Sequence, residues 1–109
     1  MMFPSRIPIA SCCNRMHKFI LEDADHAEPM GEFASLGDAV SELRRRAQLP
    51  WDEPPNVAPC TNWQTCGRCY EIVEYEVDCE PWQELRRIAA FEVSAQGVKW
   101  SASFEHDIA

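Results

Sequence analysis

Cys69-Tyr70-Glu71-Ile72-Val73-Glu74-Tyr75-Glu76-Val77 is the stretch on which the reading of this chain turns. Tyr70, Ile72, Val73, Tyr75 and Val77 are β-branched or aromatic, and no Gly or Pro interrupts them, so the run predicts a strand. On its C-terminal side a short segment around Pro81 leads to Trp82–Leu85, read as a helical turn. Two further runs, Arg87–Ser94 and Val98–Phe104, predict a hairpin in which Gly97 supplies the turn position that needs a positive φ. In the last run Val98, Trp100, Ala102 and Phe104 alternate with Lys99, Ser101, Ser103 and Glu105. That alternation predicts a core face, with Trp100 in it, and a wet face.

On the N-terminal side His17–Asp23 predicts a first strand, with Phe19 and Leu21 on one side and Lys18, Ile20 and Glu22 on the other. Ala24–Ala34, containing Asp25, Pro29 and Gly31, reads as a loop. Ser35 then caps a helix, its hydroxyl accepting from the N–H of Asp38. Leu36, Ala39, Val40, Leu43 and Ala47 recur at helical spacing and form one apolar stripe to face a sheet. Arg44, Arg45 and Arg46 sit where cations complement the negative end of the helix dipole, and Pro50 stops the helix. Leu49–Thr65 follows as a long loop, because Pro50, Pro54, Pro55 and Pro59 exclude regular structure. Trp51, Val57 and Trp63 are apolar enough to need burial, so the loop is expected to be pinned to the body by its tryptophans.

The order strand, helix, strand, strand, strand predicts an α+β domain. Its architecture is a two-layer sandwich, with one main helix packed on a four-stranded, mainly antiparallel sheet (β-α-β-β-β). The long loop leaves strand order open, since the second strand can lie beside the first or across the sheet. Residues 16–109 are read as that single domain. Residues 1–15 carry Arg6 and Arg15 but no acidic residue, a composition break that reads as a disordered leader. Ile9-Ala10-Ser11-Cys12 has the form of a lipoprotein cleavage box, but Pro4, Arg6 and Pro8 interrupt the apolar run such a signal needs.

A chain of 109 residues with 46% apolar and 26% charged residues has globular composition and is long enough for one hydrophobic core. Its formal charge of −8 repels phosphate backbones, which argues against direct nucleic-acid binding and favours a partner with a basic surface. No run reaches the roughly 18 apolar residues of a membrane span, so no membrane role is expected and the localisation read is cytoplasmic.

Cys60, Cys66, Cys69 and Cys79 raise a metal or redox site. Cys66-Gly67-Arg68-Cys69 has the two-residue spacing that wraps one zinc ion. Cys79 is excluded by geometry, because ten residues of strand at about 3.3 Å each would carry it roughly 30 Å away. The candidate ligands are therefore Cys60, Cys66 and Cys69, with His17, His26 or His106 to complete them. The same cysteines suit thiol redox chemistry, although the motif runs into a strand rather than a helix N-terminus, leaving Arg68 to supply positive charge. The plain alternative is free thiols in a reducing cytosol.

Two acidic patterns stand out beside the cysteines. Asp23-Ala24-Asp25 matches the pairing used in phosphoryl transfer but lacks the larger parallel sheet that such sites need, and reads as a turn. Glu74, Glu76, Asp78 and Glu80 recur at period two, so an extended strand would line them on one side as an acidic row. No constellation has the context of a catalytic site. The expectation is a small non-enzymatic binding or protein-interaction domain using the Trp51–Cys69 loop and the adjoining acidic strand. Trp51, Trp63, Glu74, Glu76 and Asp78 are the candidate contacts. The alternative is a zinc-binding or thiol-redox protein centred on Cys60, Cys66 and Cys69; otherwise no cofactor is expected.

Overall fold

A computed structural model describes residues 16–59, 67–78 and 80–109. The expected leader, Cys60, Trp63, Cys66 and Cys79 lie outside the described residues. In chain order the elements are β1 (His17–Asp23), β2 (Glu28–Phe33), α1 (Leu36–Arg46), β3 (Arg68–Glu76), β4 (Gln83–Ser94), β5 (Gly97–Trp100) and α2 (Phe104–Ile108). The strands form one antiparallel sheet in the order β2-β1-β3-β4-β5. The α+β class holds, and β3 lies between β1 and β4. No helix of the described residues is long and apolar enough to cross a membrane.

The strand count is corrected from four to five, because the segment read as a loop contains β2. Pro29 and Gly31 signal a loop in sequence, yet β2 is an edge strand, where Pro sacrifices no ladder bond. A bulge there, with Leu21 opposite Gly31 but Glu22 opposite Pro29, also breaks the alternation that would have revealed it. Two further corrections concern β4 and β5. Trp82–Leu85 is no helical turn, since β4 is already paired with β3 at Gln83. The last strand ends at Trp100, and Phe104 reaches the core from α2 instead. Trp100, expected in the core, stays 37% exposed, stacked between Phe91 and Phe104 with centroids 4.7 and 4.9 Å away. Gly97 does take the expected turn conformation, with φ 105°.

The helix forms as its local signals dictate. Ser35 Oγ accepts from the N–H of Asp38 at 3.1 Å, and Ala39 and Leu43 are fully buried, with Leu36, Val40 and Ala47 packed around them. Their partners on the sheet are Phe19, Leu21, Tyr70, Ile72, Ile88 and Phe91. Because strand side chains alternate, this places Lys18, Ile20 and Glu22 of β1 and Glu71, Val73 and Tyr75 of β3 on the opposite face. Among the described residues no helix covers that face.

Buried polar groups hold the ends of the sheet. The Asp23 carboxylate has no exposed surface: Oδ1 accepts from the backbone N–H of Asp25 at 3.0 Å and of Cys69 at 3.1 Å. Oδ2 takes Arg68 Nη1 at 2.9 Å and lies 2.6 Å from His26 Nδ1. Arg68 also reaches Glu28 at 2.8 Å and the Val57 carbonyl at 3.0 Å. Burial disfavours its charge, but Glu28 and Asp23 outweigh that and keep the guanidinium above its ordinary pKa. The long loop is tied down by Trp51, packed half-buried on the core, and by Asn56, which is fully buried. Asn56 Nδ2 donates to the Arg46 carbonyl at 2.8 Å, and its Oδ1 accepts from Tyr70 Oη at 3.0 Å. Asn56 thus joins the Leu49 N–H in donating to a helix-end carbonyl that has no partner within the helix.

Two substitutions test this frame by urea unfolding. Asp23→Ala leaves the buried Arg68 with only the half-exposed Glu28 as a charged partner, strips the Asp25 and Cys69 N–H groups of their acceptor, and is expected to cost about 3–5 kcal/mol. In Gly67→Ala the new Cβ would lie 2.1 Å from the Val93 carbonyl oxygen, forcing β3 and β4 apart at a cost of about 1–3 kcal/mol.

Candidate functional site

Of the three proposed metal ligands, Cys69 alone is described. It carries a free thiol at the start of β3, half-buried, on the face opposite the helix. Burial, and then the carboxylates of Asp25, Glu92, Glu71 and Asp23, push this thiol up to about 11. Arg68, expected to supply positive charge, is instead committed to Asp23 and Glu28. The setting therefore opposes thiolate formation at Cys69. Among the described residues no three His, Cys, Asp or Glu side chains are grouped to hold a metal ion.

The acidic row is also redistributed by the fold. β3 ends at Glu76, before Asp78 and Glu80, and Glu74 and Glu76 lie on the helix-facing side of the strand. Burial pushes the Glu74 carboxyl up, but bonds from Arg86 Nε at 2.8 Å and His17 Nδ1 at 2.6 Å hold it below its ordinary pKa. Glu76 is only 7% exposed, and Asp78 accepts from the backbone N–H of Met16 at 3.1 Å. Three of the expected contact residues are thus occupied in joining β1, β3 and β4, and Trp51 is occupied in closing the core.

The uncovered face of the sheet gathers a different set. Register sets Glu22 directly opposite Glu71, a like-charge pair that would destabilise the sheet if left alone. Arg87 of β4 resolves it. Its Nη1 reaches Glu71 at 2.9 Å and Glu22 at 3.2 Å, while Nη2 reaches Glu84 at 3.0 Å. The planar fork of an arginine is suited to serving several carboxylates at once. Its pKa is raised, first by Glu84 and then by Glu71. Tyr75 Oη donates to the other oxygen of Glu22 at 3.0 Å, and burial followed by that bond raises the phenol pKa.

Beside this network lies a cleft of about 510 Å³ between β2, β1, β3 and the start of β4. Buried Ile20 contributes to its apolar lining, and Pro29 and Gly31 form the β2 side. Tyr75 and Trp82 stand together with ring centroids 5.8 Å apart and planes tilted by 53°. Glu22 and Glu32 add carboxylates, Glu32 being half-exposed and paired with Lys18. Trp82 is 43% exposed, a large apolar surface to leave in water. Among the described residues the polar groups that line the cleft are the carboxylates of Glu22 and Glu32 and the Tyr75 phenol, set beside the Trp82 ring.

Sequence reading missed this site. The alternation Lys18, Ile20, Glu22 marks the face, but the far wall of the cleft is β2, whose Pro29 and Gly31 signal a loop, and Trp82 leads into β4 rather than a helical turn.

Peptide-resolved alkylation by iodoacetamide checks the Cys69 environment. Because its thiol is pushed up to about 11, labelling near neutral pH is expected to be slow in the folded chain and to accelerate as pH rises toward that value. Denaturant is expected to restore ordinary thiol reactivity.

Comparison with known protein families, curated proteins and solved structures finds no match to this chain.

Proposed function

We propose that this chain is a small non-enzymatic interaction domain whose uncovered sheet face receives a lysine or arginine side chain from a basic segment of a protein partner. The observation that carries the reading is the Tyr75–Trp82 ring pair, set in one cleft with Ile20 and the carboxylates of Glu22 and Glu32. A cation over an aromatic face is attracted by the ring quadrupole, and the aliphatic stem of a lysine or arginine suits an apolar lining. The cleft falls within the size range of small-ligand sites. The charge of −8 steers basic partners toward the surface and repels nucleic acid.

The contact surface in this reading is the open face rather than the Trp51–Cys69 loop, because Trp51 and Asn56 are occupied in holding that loop to the core. A Cys69 thiol pushed up to about 11 by burial and neighbouring carboxylates does not favour the thiol-redox alternative.

Fluorescence anisotropy with a labelled lysine-rich peptide tests the proposal, with a glutamate-rich peptide of equal length as control. The lysine-rich peptide is expected to bind and to weaken with added salt. Trp82→Ala should reduce affinity about fivefold, corresponding to about 1 kcal/mol of cation–π attraction, and Glu32→Gln should reduce it less. Binding that is unchanged in Trp82→Ala, or absent at about millimolar peptide, would overturn the reading.

A further inference from the structure

We infer that the outer edge of β4 is a self-association surface, on which a second copy of this chain adds its own β4 antiparallel to the first. The motivating observation is a mismatch of strand lengths. β4 runs over Gln83–Ser94, but β5 pairs only with Phe91–Ser94, and the N–H of Ser101 adds one bond at the Ala90 carbonyl. From Gln83 to Ala89 the backbone groups turned away from β3 meet no described strand, and every residue from Gln83 to Arg87 is exposed. Unpaired strand edges of this kind are templates for another strand.

The two ends of the sheet are treated differently. At the opposite edge, β2 carries Pro29 and a bulge at Met30, both of which discourage pairing. The β4 segment has a bulge of its own at Leu85, which turns Glu84 and Arg87 to the same face, but it contains neither Pro nor Lys, and it exposes Leu85 at 42% beside Trp82.

The segment is also complementary to itself about a two-fold axis between Leu85 and Arg86. In that register Glu84 lies opposite the second copy's Arg87, Gln83 opposite Ile88 and Trp82 opposite Ala89. Faces agree for each pair. Glu84, Arg87, Trp82 and Ala89 belong to the uncovered face, whereas Gln83 and Ile88 belong to the helix side, as their β3 partners show. A slip of one residue would set Glu84 against Arg86 or Ile88 across opposite faces. The matched register pairs opposite charges, covers Leu85 with the stem of Arg86 and lets Trp82 lie over a small residue.

Sedimentation equilibrium of the full chain, from about 1 µM to about 1 mM with reductant present, is the test. Reductant matters because the chain has six cysteines and a disulfide-linked dimer would mislead. A monomer–dimer equilibrium is expected. Leu85→Lys, which puts a charge on the edge, and Glu84→Arg, which sets arginine against the second copy's Arg87, should each weaken it at least about tenfold with an unchanged circular dichroism spectrum. Leu85→Lys touches neither the cleft lining nor the Arg87 network, so its outcome is separable from peptide binding at the cleft. A monomer throughout the range, or a dimer that neither variant weakens, overturns the inference.

Discussion

A carboxylate with no exposed surface must find its hydrogen bonds inside the protein, and the way Asp23 does so sets the frame of this molecule. Its two oxygens engage the N–H groups of Asp25 and Cys69, the guanidinium of Arg68 and the ring of His26. Those partners belong to the turn after β1, the start of β3 and the turn leading to β2. One side chain therefore locks β1 against β3 in the register that puts Phe19 and Leu21 on the helix and Ile20 and Glu22 on the open face. Burying such a pair yields little net stability against well-packed apolar residues, but removing one member strands the other charge. Its role is to specify register as much as to stabilise.

The open face follows from that register. Setting Glu22 beside Glu71 concentrates negative charge where β1 meets β3, and Arg87 is the cation positioned to relieve it. The consequence is spatial as well as electrostatic. With Glu22 held by Arg87 and Tyr75, the Tyr75 ring is fixed next to Trp82, and the cleft has a defined wall. The asymmetry of the sheet edges belongs to the same architecture, since β2 is blunted by Pro29 while β4 outruns its neighbour β5.

Local features were the legible ones. The Ser35 cap and the Leu36, Ala39, Val40, Leu43, Ala47 stripe are interactions within a few residues of one another, and the structure contains them as read. β1 occupies the run read for it, and Gly97 turns the hairpin because no side chain has to fit at its positive φ. Legibility failed where an element depends on distant residues. β2 exists because β1 offers it an edge, despite Pro29 and Gly31. Trp100 keeps alternation with its neighbours but sits on a short edge strand, so alternation did not make it core. Glu74 and Glu76 do share a side, but it is the side on which Arg86 and His17 wait for Glu74.

By itself, then, the amino-acid sequence determined the α+β class, the helix and its buried stripe, the first strand, the hairpin turn and the acidic character of the surface. These depend on periodicity, capping chemistry and composition, which act over short chain separations. Only the tertiary structure decided the fifth strand and the central place of β3. It also decided the union of Ile20, Glu22, Glu32, Tyr75 and Trp82 in one cleft, and the commitment of Arg68 to Asp23 rather than to a thiolate. Those outcomes arise because sheet pairing joins residues far apart in the chain, and a charge takes its meaning from whichever partner the register sets beside it.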